Sequence, residues 1–174
     1  TDTMLSRIQE VFEPIPAGEP PLRIQAVEPV QENERHVVVE GPGETAFVRF
    51  AYHAPRATED DFFVLLVLDS LLTGPSSLNM FGGGVSNKTS QLYQALVDRE
   101  IAVSVTGGVQ ATIDPFLYNI AAIVHPKRKP KDVIARLDAE IDKVKEIQPK
   151  GEDLAKAVKQ ARAMFAYGSE SITN

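Results

Sequence analysis

Three consecutive glycines, Gly82, Gly83 and Gly84, suggest phosphate binding, because a glycine-rich loop can bring backbone N–H groups close to an anion. A P-loop ends in glycine, lysine and then serine or threonine, whereas Lys88 and Thr89 follow Gly84 at a different spacing. The dinucleotide fingerprint G-x-G-x-x-G is not matched either. The spacing therefore disfavours nucleotide binding, and we interpret the glycines as a flexible loop that approaches a ligand backbone, or as a hinge.

Metal binding and nucleophilic catalysis are also disfavoured by residue spacing. A catalytic zinc site needs three protein ligands and an open coordination position. The chain has three histidines, none paired at the helix spacing of H-x-x-E-H: His36, His53 and His125. Asp60 and Asp61 are adjacent, so on a helix they point about 100° apart. Since no serine has a histidine nearby in the sequence, we predict no catalytic residue and no metal ligand in this chain.

Composition limits the remaining function classes. The chain has 174 residues, of which 43% are hydrophobic and 24% charged, as in an ordinary soluble globular domain. Its net charge of −6 disfavours nucleic-acid binding, which needs a basic patch to release counterions. There are no cysteines, and no apolar run reaches the roughly 18 residues of a membrane-spanning helix. We expect a soluble protein, formed as one domain or as one domain with a fragment of a neighbour.

The N-terminal half is predicted to contain two helices and two strands. Residues 3–12 carry apolar side chains at helical spacing, and the prolines between 13 and 34 favour an extended linker. Residues 35–40 and 45–53 are typical of strands. Thr58 and Asp61 form a capping-box pattern, which predicts a helix over 59–73. This helix is apolar nearly all round, so we expect it to be buried between layers.

The C-terminal half is predicted to contain a helix over 88–99, strands near 101–112 and 116–124, and two further helices. Asp132 is predicted to cap the first of these, and residues 152–167 form the second. Each has an apolar stripe at helical spacing: Ile134, Leu137, Ile141 and Val144 in the first, and Leu154, Val158, Ala161 and Phe165 in the second. The β-β-α-α-β-β-α-α order predicts an α+β fold, with a mainly antiparallel sheet and helices packed on one face.

Two blocks of sequence resemble one protein family. Residues 8–18 end a helix at an aromatic residue and continue as P-I-P-x-G. Residues 82–105 are similar to a block of glycines, then S-x-x-L-Y-x-x-L, then a strand, and D-P-x-L-Y follows at 114–118. In this order, the blocks resemble the insulinase/pitrilysin zinc metallopeptidases, also called inverzincins, and especially their processing-peptidase-like members.

The resemblance implies that this chain is a non-catalytic second half. In the family, a first domain binds zinc through H-x-x-E-H and a distant glutamate, and a second domain closes over the peptide. By this resemblance, residues 1–12 are the terminal helix of a preceding domain, 13–34 a proline-rich linker, and 35–174 an incomplete second domain. Zinc is expected in the missing half or on a partner subunit, and the expected partners are that catalytic half, a peptide substrate and a second chain in a homo- or heterodimer.

Two positions depart from the pattern of active members. Those members carry an arginine in the helix of the glycine block and a tyrosine in the next strand, which bind the substrate backbone and polarise its carbonyl. The corresponding positions here are Val97 and Val103, and neither can donate a hydrogen bond. The alternatives are therefore a structural or assembly subunit of the same fold, or an unrelated α+β binding domain. An H-x-x-E-H motif upstream, or in a neighbouring gene, would favour the peptidase assembly.

Overall fold

The computed structural model describes residues 2–19, 28–74, 88–146 and 149–170. It divides into two compact units, 1–41 and 42–174. The first unit contains helix α1. The second unit contains the remaining elements in this order: β1 (Phe47–Ala54), α2 (Asp60–Leu72), a π-helix (Tyr93–Val97), β2 (Ala102–Val109), β3 (Phe116–Val124), α3 (Pro130–Glu146) and α4 (Gly151–Glu170).

The first unit has less regular structure than the sequence predicts. Helix α1 (Asp2–Phe12) forms where expected, although none of its residues is buried. The strand predicted at Arg35–Glu40 is wrong, because these residues have no regular structure. Val37, Val38 and Val39 are 82% to 88% exposed. A strand requires a neighbouring backbone that completes its ladder of hydrogen bonds, and none of the described segments provides one here.

The second unit is built on a three-stranded antiparallel sheet with the order β1-β3-β2. Alternate side chains of each strand point toward the helices and form the core, with Val48, Ile120 and Ala122 among the buried residues. Helices α2 and α3 pack on this side of the sheet. On the other side, Phe47 is 70% exposed. The predicted α+β class, with an antiparallel sheet and helices on one face, is confirmed for the described residues.

A β-bulge lies at the start of β2. Ala102 pairs with Val124, but Ser104 already pairs with Ile123, so Val103 is an extra residue in the ladder. Because of this insertion, Ala102 and Val105 are both buried although they lie three residues apart. The bulge therefore shifts the pairing of β2 with β3 by one residue and leaves the Val103 side chain exposed.

Helix α2 differs from its prediction in two respects. The capping box is wrong, since the N-cap residue is Glu59, which makes no side-chain capping bond. The Glu59 carboxylate instead lies 2.8 Å from the guanidinium of Arg56. The helix is also covered on one side only: Phe62 and Leu72 are buried, whereas Phe63 is exposed. Its nearly uniform apolar sequence therefore leaves an apolar stripe uncovered within the described residues.

The last two helices agree with their predicted positions. Pro130 occupies the first turn of α3, where its missing N–H costs no hydrogen bond. Asp132 lies inside the first turn, and its carboxylate accepts a hydrogen bond from the Lys129 backbone N–H at 2.9 Å. The predicted stripe of α3 packs against the core. Among the described side chains of α4, Ala157 is buried, while Leu154 and Phe165 of the predicted stripe are exposed.

Helix α2 approaches β2 very closely at Gly107. A Cβ atom built on Gly107 would lie 2.7 Å from Oδ1 of Asp69 and 2.7 Å from Oγ1 and Cγ2 of Thr73. Both side chains are short and buried, so neither can move aside easily. Glycine is therefore required here because the helix occupies the space that a side chain would need.

We expect Gly107→Ala to lower the free energy of unfolding by about 1–3 kcal/mol, the usual cost of overpacking a core. Chemical denaturation followed by circular dichroism measures this loss. Gly151→Ala is the matched control, since a Cβ atom there meets no atom within 4 Å and alanine favours the helix. An equal effect of the two substitutions would contradict the close approach at Gly107.

Candidate functional site

The residues that the sequence analysis assigned to the substrate site fall in two groups. Gly82, Gly83 and Gly84 lie outside the described residues. Val97 is the last residue of the π-helix, and Val103 is the bulged residue of β2. The π-helix packs against β2, so these two valines belong to one helix–turn–strand unit.

The π-helix places Val97 against the core. Its wide turn is closed by a hydrogen bond from the Asp98 N–H to the Tyr93 carbonyl at 3.1 Å. Leu92 and Leu96 are fully buried, and Val97 is partly buried beside them. A single π-turn inside a helix frequently marks a functional site, and a period of 3.6 residues does not predict one. The helix predicted over 88–99 is therefore shorter and more tightly anchored than its sequence suggests.

Val103 has the opposite environment. Its side chain is 52% exposed, and its strand β2 is an edge strand of the sheet. Bulges at edge strands commonly redirect a side chain out of the regular ladder. The two candidate positions therefore present one half-buried and one exposed apolar side chain. Neither side chain can donate a hydrogen bond to a substrate carbonyl, so these two side chains can provide only apolar contact.

A buried polar cluster that no sequence motif predicts joins α2 to the sheet. The Tyr118 hydroxyl donates a hydrogen bond to Oδ1 of Asp69 at 2.9 Å, and the Thr73 hydroxyl donates to the same oxygen at 2.7 Å. Asp69 is only 1% exposed. A signal was available in the sequence, because an aspartate inside an apolar helix needs hydrogen-bond donors if the helix is buried. Only the tertiary structure shows that Tyr118, from the D-P-x-L-Y motif, is one of them.

The environment of this cluster changes the acidity of the tyrosine. Burial raises the pKa of the Tyr118 hydroxyl well above its usual value, and the neighbouring Asp69 charge and hydrogen bond raise it further. The phenol therefore remains neutral in the folded protein and acts as a donor to the carboxylate. This arrangement suits a structural contact, because a phenol that stays protonated supplies no phenolate to act as a base or nucleophile.

A second polar network holds the segment before the π-helix against α3. Glu140 is buried, and its carboxylate accepts a hydrogen bond from Nε2 of Gln91 at 3.1 Å. Arg136 and Lys143 form salt bridges with the same side chain at 2.7 and 2.8 Å. Although burial raises the pKa of Glu140, the hydrogen bonds from Lys143 and Gln91 and the Arg136 charge lower it below its usual value. Glu140 therefore remains ionised and anchors this segment.

The described residues do not fit a zinc site. Across 2–19, 28–74, 88–146 and 149–170, no group of three or more histidine, cysteine, aspartate or glutamate side chains could hold a metal ion. Catalytic zinc needs three such protein ligands. We therefore derive no zinc-dependent step from this part of the chain. Within the same ranges, no helix is long and apolar enough to cross a membrane.

The comparison with known families gives one match over most of the chain. Residues 1–161 match the family model described as the peptidase M16 inactive domain. No curated protein sequence matches significantly.

Solved structures from bacteria share the fold. A protease from Helicobacter pylori is similar over 99% of this chain, with a TM-score of 0.82 and 20% sequence identity, and this chain spans 40% of its length. A proposed zinc protease from Bordetella pertussis Tohama I is similar over 73% of this chain and 64% of its own, with a TM-score of 0.59 and 23% identity. The inactive peptidase domain of a proposed zinc protease from Bordetella parapertussis is similar over 75% of this chain and 65% of its own, with a TM-score of 0.58 and 21% identity.

We expect Tyr118→Phe to lower the free energy of unfolding by about 1–3 kcal/mol at neutral pH, because Asp69 loses a buried donor. The substitution should also change the response to alkali. Since the folded-state pKa of Tyr118 is raised, its contribution to stability is present below the unfolded tyrosine pKa of about 10 and is lost as the pH rises above it. Unfolding curves between pH 8 and about 11 should therefore fall more steeply for the unsubstituted chain. Parallel curves would contradict this assignment.

Proposed function

The chain belongs to the peptidase M16 family as its inactive domain, and from this we propose that it forms one wall of a peptide-enclosing chamber. In this proposal, bond cleavage is carried out by a zinc site elsewhere in the full protein or on a partner subunit. The fold supports such a role, because a domain without its own catalytic groups can still hold and enclose a substrate.

The observation that carries the proposal is the open face of the three-stranded sheet. The side chains of this face are Phe47, Arg49, Ala51 and His53 of β1, Ser104, Thr106 and Gly108 of β2, and Leu117, Asn119, Ala121 and Ile123 of β3. The four β1 residues are exposed. Antiparallel sheets often cover one face with helices and leave the other accessible, and here the accessible face includes a large aromatic ring.

The chemistry of this open face suits a peptide. Its central positions carry small side chains, with Ala51 and Gly108 flanking Asn119 in the register. A peptide backbone can therefore approach closely. Arg49 and Asn119 supply hydrogen-bond donors, and the face contains no aspartate or glutamate that would repel a peptide carboxylate. Phe47 adds an apolar contact at one end of the face.

Assembly with another domain or subunit is part of the same proposal. Phe63 and Val64 of α2 are 59% and 65% exposed, and the apolar side chains of α1 are also unburied. On each unit, exposed apolar patches of this kind are commonly covered by a protein partner. A zinc-bearing domain of the same family, or a second subunit in a homo- or heterodimer, would supply that cover.

A structural or assembly role without proteolysis is the second candidate function. The observation that favours it is the apolar character of Val97 and Val103. With the arginine and tyrosine of active members replaced by valines, the chain offers no donor at the positions that polarise a substrate carbonyl. A subunit of this kind would keep the fold for packing alone.

The chamber proposal predicts that cleavage requires both halves. We expect a family member from the same organism that carries H-x-x-E-H to form a complex with this chain in sedimentation. Peptide cleavage by the mixture should then exceed that of either protein alone. Ala51→Arg should reduce cleavage at least about tenfold by filling the open face, since productive positioning of substrate contributes strongly to rate. Ala139→Arg, at an exposed position of α3, is the matched control.

The outcomes of this experiment separate the two functions. A complex that forms but cleaves no peptide supports the assembly role and contradicts the chamber. Equal inhibition by Ala51→Arg and Ala139→Arg would show that the sheet face does not contact substrate. Full cleavage by the zinc-bearing partner alone would contradict any contribution from this chain.

A double substitution tests the two valines in the assembled enzyme. If the geometry of active members is otherwise retained, Val97→Arg with Val103→Tyr should raise kcat/KM by about 10²-fold or more, since one oxyanion donor is worth about 10²–10³ in rate. Val97→Met with Val103→Phe is the control, because it adds bulk without adding a donor. No increase with the first pair, or the same increase with both pairs, would mean that these positions do not act on the substrate carbonyl.

A further inference from the structure

A cavity of about 370 Å³ lies in the helical layer of the second unit, between α2, α3, α4 and the segment that precedes the π-helix. This volume falls in the range of small-molecule pockets. Its polar lining includes Ser90, Lys143, Lys150, Asp153 and Lys156. None of these residues belongs to the open face of the sheet, so the cavity is a separate site from the proposed chamber wall.

Ser90 is the residue that points to a ligand. It is 3% exposed, it lines the cavity, and its hydroxyl has no hydrogen-bond partner among the described residues. A buried hydroxyl without a partner is energetically unfavourable, and such groups are rare in folded proteins. A ligand atom in the cavity that accepts or donates a hydrogen bond would remove this cost.

The net charge of the lining residues indicates that the ligand is an anion. Three lysines and one aspartate line the cavity, which gives it a charge of +2 in a chain whose net charge is −6. Lys156 donates one hydrogen bond, to the Thr89 hydroxyl at 2.7 Å, and has two further N–H groups. Lys143 pairs with Glu140 at 2.8 Å. The cavity therefore concentrates positive charge that the chain as a whole does not have.

The N-terminus of α4 adds to this positive potential. The helix begins at Gly151 and extends for 20 residues. Lys150, which directly precedes it, and Asp153 of its first turn line the cavity. The N–H groups of a first helical turn have no acceptor within the helix, and the helix dipole favours an anion beside them. Together with the buried Ser90 hydroxyl and the lysines, this is a typical donor set for a phosphate group.

We propose that this cavity binds the phosphate group of a small molecule. Lysines act as point charges toward phosphate, whereas a planar carboxylate is usually recognised by the paired N–H groups of an arginine. The described lining residues of the cavity include no arginine. The source is either inorganic phosphate or a small phosphomonoester, because both present the same tetrahedral oxyanion. Asp153 is the opposing charge among the described lining residues, and it limits the affinity together with Glu152 of the same helical turn and with Glu140, which pairs with Lys143.

Titration calorimetry with the 174-residue chain tests the proposal. Sodium phosphate and glycerol 3-phosphate are titrated separately at constant ionic strength, with sodium chloride as the blank. We expect saturable binding of at least one of them at one site per chain. Ser90→Ala should weaken that binding about tenfold, as expected for a lost hydrogen bond to a charged group. Lys150→Met with Lys156→Met should remove it, and Asp153→Asn should strengthen it.

The matched control is Lys131→Met with Lys159→Met, which removes two exposed lysines of α3 and α4 that do not line the cavity. This control variant is expected to bind phosphate as the unsubstituted chain does, because its two lysines do not line the cavity. It loses the same total charge as the cavity variant, so a difference between the two variants reports the position of the lysines and not their charge. Circular dichroism checks that each variant folds, and Ser90→Ala should be no less stable without ligand because the hydroxyl has no described partner. Absence of saturable binding to both compounds, unchanged affinity in Ser90→Ala, or equal loss in both lysine pairs would overturn the proposal.

Discussion

The buried hydrogen bonds of Asp69 are the interaction on which the second unit depends. A carboxylate at 1% exposure is tolerated only when donors satisfy it, and the hydroxyls of Thr73 and Tyr118 do so from α2 itself and from the central strand. The contact is possible because Gly107 leaves the surface of β2 free of a side chain. This one cluster thus attaches α2 to two strands. Helix α4 packs on α2 in turn, and its Ala157 carbonyl accepts a hydrogen bond from the Ser70 hydroxyl at 3.3 Å.

The position of α2 divides the second unit into two surfaces with different chemistry. Because the helices cover one side of the sheet, the other side presents Phe47, Arg49 and small residues to solvent. This is the surface that we propose as a chamber wall, and it agrees with membership of a family whose model describes an inactive domain. On the helical side, the ends of α2, α3 and α4 converge on the lysine-lined cavity. The two proposed sites are therefore separated by the thickness of the core.

Glu140 connects the helical layer to the region that contains the altered family positions. Its carboxylate binds Gln91 while Arg136 and Lys143 balance its charge. The segment that leads into the π-helix is thereby fixed on α3, and Val97 is held against the core. Lys143 also lines the cavity, so a ligand phosphate and Glu140 would share one cation. The geometry of this helix–turn–strand unit is thus set by charge pairs as well as by apolar packing.

The sequence alone determined the class of the fold and most of its elements, because the apolar periodicity of β3, α3 and α4 is local information. It also indicated the family through ordered motifs, and it showed that Val97 and Val103 cannot donate hydrogen bonds. Only the tertiary structure decided which predicted strand has a partner, and residues 35–40 have none among the described segments. Three further features could not be predicted from the sequence: the bulge at Val103, the donors to Asp69 and the convergence of three lysines on one cavity. Each depends on residues that are distant in sequence and meet only after the helices pack on the sheet.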